Sequence, residues 1–253
     1  MRIAIWQGPS PEGDRAAALA TIGAALAAAG AMGADVLVTP EVFLPGYNQP
    51  DPAKAALAPE DPLFDILADG CRAAGCALVL GFAEAAECLY NSAIAIGADG
   101  TILARYRKMQ LYGPREMALY HPGRAYCTFD LNGTSTALMI CYDVEFAPHV
   151  AALAAQGVTL ILVPTANMEP FSHVIRHSIA AMAAHHGTAI AYANYCGVEG
   201  DLTYLGGSLI ASRTGDVLAQ AGQTPTLLIT DLPPTDTARL STQAADLRMP
   251  QRA

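Results

Sequence analysis

The chain has 253 residues, 53% of them hydrophobic, and a formal net charge of −9. That is ample for one α/β domain with a sizeable core. The acidic balance argues against nucleic acid or an anionic membrane surface as a partner, because phosphate binding needs clustered Lys and Arg. No uninterrupted apolar stretch reaches spanning length, since the alanine-rich segment 16–31 is broken by Thr21, Gly23 and Gly30. The opening MRIAIWQG lacks the apolar region and cleavage site of a signal peptide, so a cytoplasmic location is expected. Cysteines at 71, 76, 88, 127, 141 and 196 include no C-x-x-C pair, so zinc and redox motifs find no support. In a reducing compartment these would be free thiols.

In chain order, the first half reads as a strand at 2–7, a helix over about 14–31 and a strand at 35–39. A loop through 40–60, a helix at 61–74 and strands at 76–82, 91–97 and 101–106 follow. Alanine favours the first helix. VLVTP is a short β-rich run stopped by proline. The GADG turn makes 91–106 a hairpin.

The second half repeats this order. It reads as a strand at 136–141, a helix at 145–156, a strand at 158–163 and a helix at 172–186. Strands at 188–194, 205–211 and 216–220 follow. The copies also match in detail: GADVLVTP (33–40) aligns with GVTLILVP (157–164), and AAGCALVLG (73–81) with AHHGTAIAY (184–192). NSAIAIGADGTILA (91–104) aligns with GSLIASRTGDVLA (207–219), allowing one gap. Two copies are too few for a solenoid. They predict two strand–helix–strand units whose sheets face each other, with helices outside. Strands buried on both faces explain apolar runs in place of strict alternation. The expectation is a single domain over 1–253 with no linker. From about 232 a polar, proline-containing arm follows, either packed on a partner subunit or partly disordered.

The chemistry gathers around LMICYDVE (138–145), where an apolar run delivers Cys141 and then turns polar at Asp143. A strand ending on Cys141 would put the thiol at a sheet rim, where ligands collect in α/β folds. Alone, such a cysteine reads as one more small buried hydrophobe. In the repeat map, however, Pro40 and Glu41 end the second strand of copy one and reach the same rim. An acid beside a thiol can serve as its general base. The loop TPEVFLPGYN, with two prolines, a glycine and flanking aromatics, would hold that carboxylate rigid and dry. In RYRKMQLYGPREM (105–117), Arg105, Arg107 and Lys108 read either as a solvated basic patch or as placing Lys108 inward, as a fixed positive charge for an oxyanion. Glu116 lies eight residues further on in the same loop. VPTANMEPFSH (163–173) is the repeat partner of the Glu41 loop, so Asn167, Met168 and Phe171 are candidates to line the pocket, with Tyr47 a further polar one.

Glu41 in TPEVFLPGYN, Lys108 in YRKMQLYGPREM and Cys141 in ICYDVEFAP resemble the three signatures of the nitrilase superfamily of carbon–nitrogen hydrolases. The 33-residue separation of Lys108 and Cys141 is similar to the family's, and Glu116 falls where members carry a second glutamate. The match covers the chain to about residue 220. One departure is Ala147 before Pro148, where the family usually has proline and then glutamate. The resemblance implies an α-β-β-α sandwich of two facing mixed sheets. It also implies a thiol-dependent hydrolase of non-peptide C–N bonds that needs no metal or cofactor. In that reading Glu41 is the base and Cys141 the nucleophile. Lys108 and the backbone N–H of Tyr142 hold the oxyanion, and Glu116 orients substrate or sets its neighbours' pKa. An amidase releasing ammonia is the leading expectation, with a nitrilase or N-carbamoyl amidohydrolase as rivals. The resemblance also implies at least a homodimer, built through the helix after the nucleophile and the C-terminal arm.

Two competing constellations stand beside this. His173 and His177 share a helix face, and such a pair can bind zinc, but HVIRH lacks the acid a hydrolytic zinc helix carries. A Cys–His pair is conceivable, yet no histidine sits in a comparable motif. A different class of protein, a catalytically silent member that binds a metabolite or partner, is opposed by the intact Glu, Lys and Cys.

Overall fold

Each copy of the repeat builds a sheet of the same design. In the computed structural model, which describes residues 1–248, copy one supplies β1 (Arg2–Gln7), α1 (Arg15–Ala31), β2 (Val36–Val38), α2 (Leu63–Ala74), β3 (Ala77–Ala85), β4 (Leu89–Ile96) and β5 (Ile102–Arg107). A short helix α3 (Gly113–Leu119) and strand β6 (Thr128–Leu131) link it to copy two. That copy comprises β7 (Thr134–Leu138), α4 (Ala147–Ala155), β8 (Leu160–Pro164), α5 (Ile179–His186) and β9 (Ala189–Ala193). A small hairpin of β10 (Cys196–Glu199) and β11 (Leu202–Leu205) is followed by β12 (Leu209–Ala211), β13 (Val217–Gln220) and β14 (Thr226–Asp231).

The pairing pattern is the same twice over. β1–β2 and β2–β3 are parallel, then β3–β4 and β4–β5 antiparallel. β7–β8 and β8–β9 are parallel, then β9–β12 and β12–β13 antiparallel. The sixth strand of each sheet is exchanged. β6, which follows copy one, pairs antiparallel with β7 of copy two, and β14, which follows copy two, pairs antiparallel with β1. Each half therefore covers the other's open edge, where unpaired N–H and C=O groups would otherwise face water.

Three apolar layers result, as expected of an α-β-β-α sandwich. Between the sheets, Ile3, Ile5, Val36 and Val38 meet Leu138, Ile140, Leu160 and Leu162. Small side chains at Ala93, Ala95, Ala189, Ala191 and Ala193 sit in the same layer. Cα atoms of β1 accordingly come within 8 Å of β9, closer than the roughly 10 Å usual between stacked sheets. Outside, Ile22, Leu26, Leu63 and Leu67 of α1 and α2 cover one sheet. Val150, Leu153, Ile179 and Ala183 of α4 and α5 cover the other. Asp14 caps α1 by accepting from the Ala17 N–H at 3.0 Å.

Several local expectations are corrected. The strand read as 136–141 ends its ladder at Leu138, and Cys141 opens a 3-10 turn over Cys141–Glu145 with φ +45°. The apolar run continues past the last strand pair because Ile140 still fills the core between the sheets. Glu116 lies in α3, not in a loop; Gly113 and Pro114 start that helix, where a missing N–H costs nothing. The helix read as 172–186 begins with a π turn over Val174–Ser178. The run 205–211 splits between β11 and β12, and β6, β10 and β14 were not foreseen. The departure at Ala147 leaves the helix start intact: α4 begins at Ala147 with Pro148 in its first turn. Beyond β14 the described residues of the arm are mostly exposed. Residues 249–253, also assigned to the arm, lie outside the described part.

Candidate active site

Glu41 follows β2 directly, on a backbone pressed against β3. A Cβ at Gly81 would meet the Pro40 carbonyl oxygen at 2.4 Å and the Val42 nitrogen at 2.7 Å, so only glycine admits the loop there. Val42 takes φ +45°, an unfavourable conformation for a β-branched residue. The surroundings hold it. The Glu41 N–H donates to the Thr165 carbonyl at 3.2 Å, and the Gly46 N–H donates to the Val42 carbonyl at 2.8 Å. The Tyr195 hydroxyl donates to the Glu41 carbonyl at 2.8 Å.

Lys108 continues from β5 and is fully buried, as are Glu41 and Glu116. Its Nζ donates to Glu41 Oε1 at 2.6 Å and to Glu116 Oε1 at 2.8 Å. An ammonium carries three N–H donors, so one remains beyond these two. Glu41 Oε1 also accepts from Asn91 Nδ2 at 2.7 Å, whereas Oε2 has no partner among the described residues. Glu116 is saturated differently: Oε1 accepts from the Tyr47 hydroxyl at 2.6 Å and Oε2 from the Tyr112 N–H at 2.9 Å. Burial works against the charge on Lys108, but Glu116 and Glu41 outweigh it and raise its pKa well above the ordinary value. Burial lifts Glu41 to about 7, with Glu116 adding to the rise and Lys108 and Asn91 opposing it. The cluster thus contains a secure cation and a carboxylate that gains and loses its proton near neutrality.

Cys141 stands on the tight turn at the end of β7, and Asp143 ties that turn down. Its carboxylate accepts from the Ile140 N–H at 3.1 Å, the Gln110 N–H at 2.7 Å and the Tyr106 hydroxyl at 2.7 Å. One buried group thereby joins the cysteine turn, the segment after Lys108 and β5. Burial, and then the Glu41 carboxylate, push the Cys141 thiol well above its usual range, against the pull of Lys108. A thiol so placed rests protonated and needs a base. The first-turn amides beside it, Tyr142 among them, have no intrahelical acceptor. Asp143→Ala should cost about 3 kcal/mol or more, because three donors lose their acceptor in the interior. The check is the urea midpoint at unchanged slope.

The thiol opens on a pocket of about 220 Å³. Tyr47, Tyr142, Asn167, Met168 and Phe171 line it. Asn167 is held by Asn194, whose Oδ1 accepts from the Asn167 N–H at 2.8 Å, while Asn167 Oδ1 has no partner among the described residues. His173 stands exposed at the rim of the same pocket. His177 does not line it, and among the described residues no group of three His, Cys, Asp or Glu could hold a metal ion. Sequence reasoning missed Asn91, Asp143, Tyr112 and Glu145. Asn91 carries no signal beyond standing at a predicted strand start; Asp143 and Glu145 stand in the cysteine motif, where nothing in the sequence alone gives them a role.

The sequence model of the carbon–nitrogen hydrolase family matches residues 2–241. A hydrolase in the pqqF 5′ region of Pseudomonas protegens is 38% identical over 90% of this chain and 81% of its own length. An (R)-stereoselective amidase of a Pseudomonas species is 33% identical over 88% of this chain and 81% of its own. An amidase of the nitrilase superfamily from Nesterenkonia, solved in complex with butyramide with a cysteine replaced by alanine, superposes with a TM-score of 0.86 at 35% identity. That comparison covers 98% of this chain and 94% of the other. The chain belongs to the carbon–nitrogen hydrolase family. Within it, the relatives named place the chain beside the amidase-like members of the nitrilase superfamily.

Proposed function

We propose that this protein is an amidase that converts small carboxamides to a carboxylate and ammonia through a thioester on Cys141. The observation that carries this is the buried Glu41–Lys108–Glu116 chain, set behind a thiol that faces a small pocket. Glu41 Oε2, the carboxylate oxygen left free, takes the thiol proton. The thiolate then attacks the carboxamide carbon. The spare N–H of Lys108 and the Tyr142 amide hold the oxygen as it becomes negative. Collapse of this adduct expels ammonia, which receives the proton from Glu41. Water then attacks the thioester, with Glu41 again the base. Glu116 fixes the Lys108 ammonium, and Tyr47 and Asn167 contact substrate. The pocket volume of about 220 Å³ falls below the roughly 300–1,000 Å³ of drug-sized sites, which favours amides of few carbons.

Ammonia release from a panel of aliphatic amides, butanamide included, tests this, with nitriles and N-carbamoyl compounds as the rival substrates. No release from any amide would sink the proposal. The pH dependence is a separate expectation. Because burial raises Glu41 to about 7, its base form is scarce below that pH, so kcat/KM should climb through about 7 and then level. Glu41→Gln should lower kcat/KM by about 10²–10⁴-fold and erase the climb.

The protein is further read as a cytoplasmic homodimer. Its six cysteines are all unpaired, which suits a reducing compartment. α4 buries only Val150 and Leu153 and leaves Ala151, Ala152 and Ala154 partly exposed, an apolar face suited to a second copy. Light scattering would decide the mass.

A further inference from the structure

The amidase mechanism leaves one pocket carboxylate unused. Glu145 lines the same pocket as Cys141, is half-buried, and accepts no side-chain hydrogen bond or ion pair among the described residues. The other titratable groups lining the pocket are Tyr47, Tyr112, Tyr142, Cys141 and the rim residue His173. Lys108, whose charge Glu145 feels, is already committed to Glu41 and Glu116. A carboxylate held partly out of water without a partner is costly. Burial accordingly lifts its carboxyl to about 7, with Lys108 pulling the other way.

The walls beside it are aromatic. Tyr112 meets Tyr142 edge-on with ring centres 5.4 Å apart and Phe171 at 5.6 Å, and Tyr142 meets Phe146 at 4.8 Å. Aromatic rings around a carboxylate form a setting for an organic cation, attracted by the ring faces and the charge together. Cys141 and Glu145 begin and end the same 3-10 turn. At about 2 Å rise per residue the two positions lie about 8 Å apart along it. That leaves room for a carboxamide carbon at the thiol and an ammonium group two methylenes away.

We infer that the pocket contains an amine subsite, in which Glu145, walled by Tyr112, Tyr142 and Phe171, receives the ammonium group of an amino-substituted amide while Cys141 attacks its carboxamide. This rests on the amidase reading and names the substrate class within it. Hydrolysis itself is unchanged; the subsite adds an ion pair that a neutral amide cannot make.

The test uses a matched pair, 3-aminopropanamide and butanamide, which differ only in an ammonium group against a methyl. For the wild-type enzyme kcat/KM should favour 3-aminopropanamide by about 10-fold or more, the weight of a charge-assisted hydrogen bond. Glu145→Gln should reduce that ratio by a similar factor, chiefly through KM. Glu145→Lys should turn preference toward the amide bearing a terminal carboxylate, succinamic acid. Equal use of both amides by the wild type, or a Glu145→Gln ratio that does not move, overturns the subsite. Calorimetry with Cys141→Ala protein keeps the two readings separate. Tighter binding of 3-aminopropanamide than butanamide, lost in Cys141→Ala/Glu145→Gln, supports the subsite even if neither compound is turned over, an outcome that would instead remove the amidase reading. Equal binding of the two compounds by Cys141→Ala overturns the subsite.

Discussion

Replacing Cys141 with alanine is expected to abolish ammonia release, by at least about 10⁵-fold, while the protein still folds. The thiol donates nothing that the fold depends on. It faces the pocket, and the turn beneath it is held by Asp143 through Ile140 and Gln110. No other cysteine lines the pocket. Cys71 and Cys76 are fully buried and do not line the pocket, so a reagent that enters it does not meet them, and burial pushes their thiols up to about 11 and 12. Acrylamide combines an amide with an electrophilic alkene and should alkylate Cys141 far faster than these two. Peptide mapping after brief exposure would show where the mass lands. A Cys141→Ala protein that still released ammonia, or labelling first at Cys71 or Cys76, would remove the thiol from the mechanism.

Much of the sandwich was legible because both copies write their central parallel strand as an apolar run with glycine before and proline after, as in GADVLVTP and GVTLILVP. The exchanged strands were not. β6 and β14 lie on the edges, their residues other than Leu131 are partly buried or exposed, and their pairing partners stand in the other copy. Nothing local in TFDL or TLLITD announces such a partner. That Glu41 and Cys141 reach one rim could be anticipated because each ends a strand in the repeat map; Lys108 offered only the prospect of turning inward from the segment after the hairpin. The inner supports could not be anticipated. Asn91 shares Glu41 Oε1 with Lys108 only because β4 runs beside β5. Glu145 enters the pocket only because the chain leaves β7 by a tight 3-10 turn, where the sequence predicts a strand ending on Cys141. Cys141 at φ +45° is the pivot of both facts: the turn lifts the thiol out of the sheet and swings the following carboxylates, Asp143 inward and Glu145 toward the pocket.

Lys108→Met should be the most damaging single change to the buried cluster. Methionine fills much of the volume, so packing is not the main loss. What goes is the only cation that, among the described residues, is bonded to Glu41 and Glu116, both fully buried. Breaking a buried pair by removing one partner typically costs about 3–5 kcal/mol, since the remaining charge stays out of water. In a chain of this size each kcal/mol moves Tm by about 2–4 °C, so a fall of roughly 10 °C is expected by calorimetry. The chemistry fails for a separate reason with its own sign. Lys108 lowers the pKa of Glu41, so without it the carboxyl holds its proton to higher pH and no base is present at neutrality. Loss of the oxyanion donor adds about 10²–10³-fold. Lys108→Met/Glu116→Gln separates the two effects. Neutralising Glu116 removes one stranded charge and should recover part of the lost Tm, a coupling expected of residues in one network. Activity should not return, because neither the donor nor the poised base is restored. If Lys108→Met melted at the wild-type temperature, the three side chains could not be sharing charge as their 2.6 and 2.8 Å contacts require. If the double variant regained turnover, Lys108 would be a structural prop for Glu116 and the oxyanion would have to be held by backbone amides alone.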